Sequence, residues 1–263
     1  MSPADQVNPI GPAPGADSAS AAAFAADLDR RLRAVADPGR APAMQSYMKS
    51  AEPFLGVPAP LLRRTTAEAA SAHRLRSAPA RLEAATLLWD TAAHREHRYA
   101  AQRLTEVAAC RGQLEFLPLY ERMVSEGAWW DLVDGIHRNL ADLLDAHPET
   151  MLPRVRAWAT DADPWKRRAA LVCQLSRKAR TDVVLLAETI EANQDQPGFF
   201  LRKGIGWALR EYAKTDPDWV RGFVAGHPGL SPLSRREALR RLPTPEPAVP
   251  IPVVPSPAVG FNA

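Results

Sequence analysis

Apolar residues recur at helical spacing through most of this chain, and the stretch from Trp129 to Leu143 shows the pattern best. At about 100° per residue, Leu132, Val133, Ile136, Leu140 and Leu143 share one stripe, which Trp129 joins. The spacing predicts a helix over about 130–145. Trp130 and Asp134 stand off that stripe. They sit one turn apart on its border, with Arg138 one turn further on. Such a pair has two readings. Asp131 or Asp134 can simply favour a helix N-terminus, worth roughly 0.3–1 kcal/mol. Alternatively, the aromatic supplies a stacking face and the carboxylate a fixed negative charge at the edge of a core, as a site requires.

The same periodicity predicts helices along the rest of the chain. The first runs from about Ala25, carries Phe24, Leu28, Leu32 and Val35, and stops at Asp37-Pro38-Gly39. A short helical piece at Gln45–Lys49 and an extended Pro53–Pro58 follow, and Pro60 opens a helix running to about His73. Further helices are expected at about 80–91, 94–110, 115–126, 149–160, 164–177, 181–193, 197–214, 216–225 and 231–241. Brief turns containing Pro, Gly or Asp join them. Many helices with short connections read as antiparallel pairs stacked side by side, an all-α solenoid. The pairs advance by roughly 35–40 residues, near the period of HEAT-type repeats. Such a solenoid offers a concave face suited to a rod such as duplex DNA. Domain bounds follow from composition: a disordered tail over 1–24, a helical domain over 25–242, and a Pro-rich disordered tail over 243–263.

Charge sharpens this picture. The chain has 33 Lys and Arg and 30 Asp and Glu. Three of the acids, Asp5, Asp17 and Glu246, lie in the tails, which hold no cation, so the helical part carries 33 cations against 27 acids. A moderately basic folded part is compatible with nucleic acid. Cys110 and Cys173 have no partners at metal-ligand spacing and read as small core residues. No secretory signal and no apolar run of about 18 residues are visible, so a cytoplasmic protein is expected.

Other residues stand out of place. Arg168 falls on the apolar face formed by Trp165, Ala169, Val172 and Leu175, where it either makes a buried ion pair or lines a groove. In the helix from Phe200 to Lys214, Leu201, Ile205, Ala208, Leu209 and Tyr212 make the core stripe. Trp207 lies nearly opposite, in line with Lys203, Arg210 and Lys214. It either packs on a neighbouring repeat or meets a sugar or base while the cations hold phosphates. Gly204 and Gly206 cost roughly 1 kcal/mol each in helix propensity and imply a close approach to the backbone. His94-Arg95-Glu96-His97 has two histidines three apart but no third ligand, and reads as a solvated face rather than a metal site.

Taken together, these residues resemble the DNA alkylation repair family of HEAT-like glycosylases, the AlkD-type enzymes. The resemblance covers roughly residues 25–241 and is most specific in Trp129–Asp134, Trp165–Ala170 and Phe199–Lys214. Tyr47-Met48-Lys49 with Pro53–Val57, and Leu230–Ala238, are further similar stretches, while the region 90–110 matches more loosely. The resemblance implies Asp134 as the catalytic carboxylate, Trp130 and Trp207 as the site tryptophans, and Arg168 as the site arginine. It further implies Arg168, Lys203, Arg210, Lys214 and Tyr47 on the DNA, with Arg168, Lys203 and Arg210 clamping flanking phosphates, and no metal and no cofactor.

The activity so implied is excision of N3- and N7-alkylated purines, such as 3-methyladenine and 7-methylguanine, from duplex DNA without base flipping. Bulky adducts are then conceivable substrates. A binding-only protein that grips bent or damaged DNA is the main rival, and a protein–protein scaffold is the third reading. A monomer is expected, with no membrane partner.

Overall fold

The computed structural model describes residues 16–242, within which all regular structure is helical. The expected tail over 243–263, and residues 1–15 of the N-terminal one, lie outside the described residues. The first helix, α1 (Ala16–Ala34), begins earlier than the expected Ala25, and buries Ala21, Phe24, Leu28 and Leu32. Its start is alanine-rich, and alanine favours helix without needing a partner for its side chain. After it come α2 (Ala41–Met48), α3 (Ala59–Ala72), α4 (Ala78–Asp90), α5 (Arg95–Thr105), α6 (Leu117–Ser125), α7 (Trp130–Gly135) and α8 (His137–Ala146). The remainder are α9 (Pro148–Ala159), α10 (Pro164–Val172), α11 (Val183–Glu191), α12 (Phe199–Tyr212), α13 (Pro217–Gly226) and α14 (Pro232–Leu239).

The helices form an α-solenoid. Along one side, α3, α5, α7, α10, α12 and α14 each pack on the next. On the other side α1 packs on α3 and α4, α9 on α8, α10 and α11, and α13 on α12 and α14. Two apolar cores result, and α10 is their joint. Ala169, Ala170 and Cys173 belong to the first core, Leu171 and Val172 to the second. A helix buried on two sides has little surface to spare for charge, so Arg168 on it requires a partner.

The helix expected over about 130–145 is broken. Its stripe is buried as predicted, with Leu132, Val133, Ile136, Leu140 and Leu143 all 1% exposed or less, but Ile136 ends α7 and caps α8 at φ −102°, ψ 7°. Trp129 is the extended N-cap of α7 rather than part of it. At Gly135, α5 approaches so closely that a Cβ would lie 2.4 Å from Gln102 Oε1. Gln102 also donates to the Leu132 carbonyl at 2.7 Å, which pins α7 on α5. A periodicity count sees one stripe and misses this, because the short α7 and α8 keep their apolar faces in register across the break.

The His94–His97 expectation is overturned. Arg95, Glu96 and His97 are 4%, 0% and 4% exposed, so this is a buried polar network and no solvated face. Glu96 accepts the backbone N–H groups of Leu55, Gly56 and Val57 at 2.9, 2.9 and 3.1 Å. That holds the extended segment after α2. Three N–H donors satisfy a carboxylate that would otherwise be too costly to bury. Gly56 sits at φ 83°, and a Cβ there would lie 2.1 Å from the Asp37 carbonyl oxygen, so only glycine fits. Among the described residues no group of three or more His, Cys, Asp or Glu is placed to hold a metal. No helix among them is long and apolar enough to cross a membrane. Cys110 and Cys173 are free and buried.

Candidate active site

Three helix beginnings are drawn together by aromatic rings. Trp129, the N-cap of α7, lies 5.6 Å from Trp165 in the first turn of α10 and 5.1 Å from Phe200 in the first turn of α12. Trp165 and Phe200 are themselves 5.2 Å apart. Rings at these separations, tilted or edge-on, attract one another beyond the area they bury. The start of α10 is fixed by Pro164 and by Asp163, whose Oδ1 accepts the Trp165 N–H at 2.8 Å.

Asp134 and Arg168 lie on this platform. Arg168 Nε and Nη2 donate to the two carboxylate oxygens of Asp134, both at 2.7 Å, and Nη1 donates to the Phe200 carbonyl. This is the buried ion pair, the first of the two readings open for Arg168. Its side chain is 5% exposed and that of Asp134 is 13% exposed. Three of the five guanidinium N–H groups are thereby used, two of them in a fork that fixes the plane of the carboxylate. Arg168 therefore orients Asp134. Burial pushes the Asp134 carboxyl above its ordinary value, and Arg168 pulls in the opposite direction.

Trp130 opens α7 one turn before Asp134 and is half-buried. Trp207 on α12 is also half-buried: it packs against the second core and has its ring 6.2 Å from that of His137. His137 Nδ1 in turn lies 2.7 Å from the Asp134 carbonyl oxygen. Trp207 thus packs in part on the second core, as the first of its two readings had it. The sequence reading missed His137, although it stands three residues from Asp134 on what looked like a single helix.

The close approach implied by Gly204 and Gly206 is made by the protein itself. A Cβ at Gly204 would lie 3.3 Å from Arg168 Nη1. One at Gly206 would lie 2.5 Å from Glu237 Cβ and 3.0 Å from the Ser234 carbonyl oxygen. These glycines let α10 and α14 dock on α12. Glu237 is the second residue missed. It is 8% exposed, pairs with Lys203 at 3.0 Å and also holds Arg210. The Lys203 ammonium, then Arg210, keep its carboxyl below the usual range. Two of the expected phosphate-binding cations are thus gathered on one carboxylate, while exposed Lys214 pairs with Glu211 at 2.6 Å. Tyr47, near the end of α2, is 77% exposed and lies on a different part of the chain from the Asp134 group.

Comparison with known proteins gives the family. A solved structure described as a predicted DNA alkylation repair enzyme from Enterococcus faecalis is 31% identical to the chain. It superposes with a TM-score of 0.70 over 79% of this chain and 96% of its own. No curated protein matches the sequence. A family model described as DNA alkylation repair enzyme matches residues 28–242, a span that holds the second core, all of the first but Ala21 and Phe24, and every residue of the group around Asp134, and the chain belongs to that family.

Proposed function

We propose that the protein is a monofunctional DNA glycosylase that removes N3- and N7-alkylated purines from duplex DNA, with Asp134 as its catalytic carboxylate. The observation that carries this reading is Asp134 itself, clamped in plane by Arg168 yet 13% exposed, with half-buried Trp130 one turn before it and half-buried His137, the ring neighbour of Trp207, on its carbonyl. A carboxylate placed purely for stability has no need of an open edge beside two tryptophans.

The chemistry needs little else. Alkylation at N3 or N7 gives the purine a positive charge, so the base departs without a general acid. The barrier is the oxocarbenium-like deoxyribose left behind, as in glycoside hydrolysis. An ionised Asp134 stabilises that charge and orients the attacking water. Trp130 and Trp207 present π faces to the same developing cation. Lys203 and Arg210 would exchange Glu237 for flanking phosphates, with Lys214 and Tyr47 making further contacts along the duplex. Acting on the sugar rather than on an extruded base suits a carboxylate at an open edge, and it admits bulky adducts. The product is an abasic site, and the reaction uses no cofactor.

The test is incubation of the protein with a duplex carrying a single 7-methylguanine, followed by alkaline cleavage of abasic sites. Cleavage at that position supports the reading. Binding to the duplex with no abasic product would favour a protein that grips damaged DNA without chemistry.

A further inference from the structure

A cavity of about 630 Å³ lies where α3 and α5 end and α4 begins. Five arginines line it: Arg63, Arg74, Arg76, Arg81 and Arg103. The acid lining it is Glu106, and that carboxylate is already engaged by Arg103 at 2.6 Å. Among the described residues, four cations are therefore left without a carboxylate in one cleft. Arg63, Arg74 and Arg76 are exposed at its rim and make no ion pair with any described residue. Arg81 donates through Nη1 to the Leu104 carbonyl at 3.2 Å, but its Nε is buried without any partner. Buried guanidinium N–H groups are normally bonded, so an orphan one beside a cavity marks a missing acceptor. The floor is apolar, formed by buried Ala70, Leu75 and Leu104.

From this arrangement we infer that the cavity is a binding site for a small phosphate ester of nucleotide size. The volume falls within the range of roughly 300–1,000 Å³ typical of small-molecule sites. Arginine forks match phosphate oxygens, and like charges held together without counter-ions favour an anion carrying more than one negative charge. The apolar floor gives the uncharged part of such a ligand a surface to cover. The apolar floor favours a free nucleotide, whose uncharged part can cover it, over a duplex backbone that presents only phosphate and sugar. No residue of this cavity belongs to the group around Asp134, so this site and the glycosylase reading stand or fall separately.

Calorimetric titration of the full chain with ADP, pyrophosphate and adenosine tests the inference. ADP should bind at least about tenfold more tightly than adenosine, with pyrophosphate between them. The triple variant R63Q/R74Q/R76Q, altered only at exposed rim positions, should weaken ADP at least about tenfold. A charge-matched variant, K178Q/R236Q/R240Q, exposed and outside the cavity, should leave ADP binding within about twofold. Absence of ADP binding, or equal weakening by the two variants, would overturn the site. A duplex-only effect, in which the rim variant weakens DNA but ADP does not bind, would overturn it too.

Discussion

α7 carries two carboxylates three residues apart, and each is held by an arginine from a neighbouring helix. Asp131 takes Arg95 Nη2 at 2.6 Å and Nε at 3.1 Å, while Asp134 takes Arg168 through two 2.7 Å bonds. Both arginine side chains are 5% exposed. The difference lies in what else reaches the carboxylate. Asp131 is 8% exposed and also accepts the Tyr99 hydroxyl, whose proton burial holds well above the ordinary tyrosine range. Arg95 goes on to Glu52 at 2.8 Å, closing a network that ties α5 and α7 to the segment after α2. Among the described residues Asp134 has no second side-chain donor, and its helix carries Trp130 one turn before it and leads into His137, whose ring neighbours that of Trp207. One ion pair locks helices together. The other leaves lone pairs at an open edge, where they can meet a substrate.

Four expectations break or sharpen this contrast. The largest effect belongs to Asp131→Asn, which leaves Arg95 buried without a full counter-charge. Chemical denaturation should show a loss of about 3–5 kcal/mol, while folded protein retains excision within a few-fold. Trp207→Ala should slow excision about 10–100-fold, equivalent to about 1.4–2.7 kcal/mol, with a smaller loss in unfolding free energy because the ring is only half-buried. Equal losses in rate and stability would make Trp207 a core residue.

Arg168→Gln should move the acid limb of the rate profile. Asp134 acts ionised, so excision falls as pH drops through its raised value. Removing the guanidinium that opposes this rise should shift the limb further upward. The sign for stability is fixed by the same group. Its folded value lies above 3.8, so the native state holds the proton more tightly than the unfolded chain, and that gain is lost as pH rises through the raised value. A limb left in place by Arg168→Gln would show that Asp134 does not govern it. The smallest effect is that of Tyr99→Phe, which removes one neutral donor from Asp131. Denaturation should detect about 1 kcal/mol, with no change in rate.

Much of this was legible in the sequence for identifiable reasons. The stripe Leu132–Leu143 is buried because helical periodicity reports the core side whether or not the helix is continuous. The break at Ile136 was hidden for the same reason. Arg168 on an apolar face left a buried ion pair and a groove lining both open, because spacing within one helix could not name Asp134, 34 residues away, as its partner. His94–His97 misled because four polar residues in a row look solvated. Their burial depends on backbone N–H groups of Leu55–Val57 that become neighbours only when the chain folds. Gly204 and Gly206 did signal a close approach, and only the fold shows that α10 and α14 make it.

Single-turnover release of 7-methylguanine from a duplex, with affinity measured in parallel, tests the central claim most directly when native protein is set beside Asp134→Asn. The account predicts a rate lower by about 10²–10³-fold with duplex affinity within a few-fold of native. A rate for Asp134→Asn within about threefold of native, with binding unchanged, would contradict it and remove the carboxylate from the chemistry.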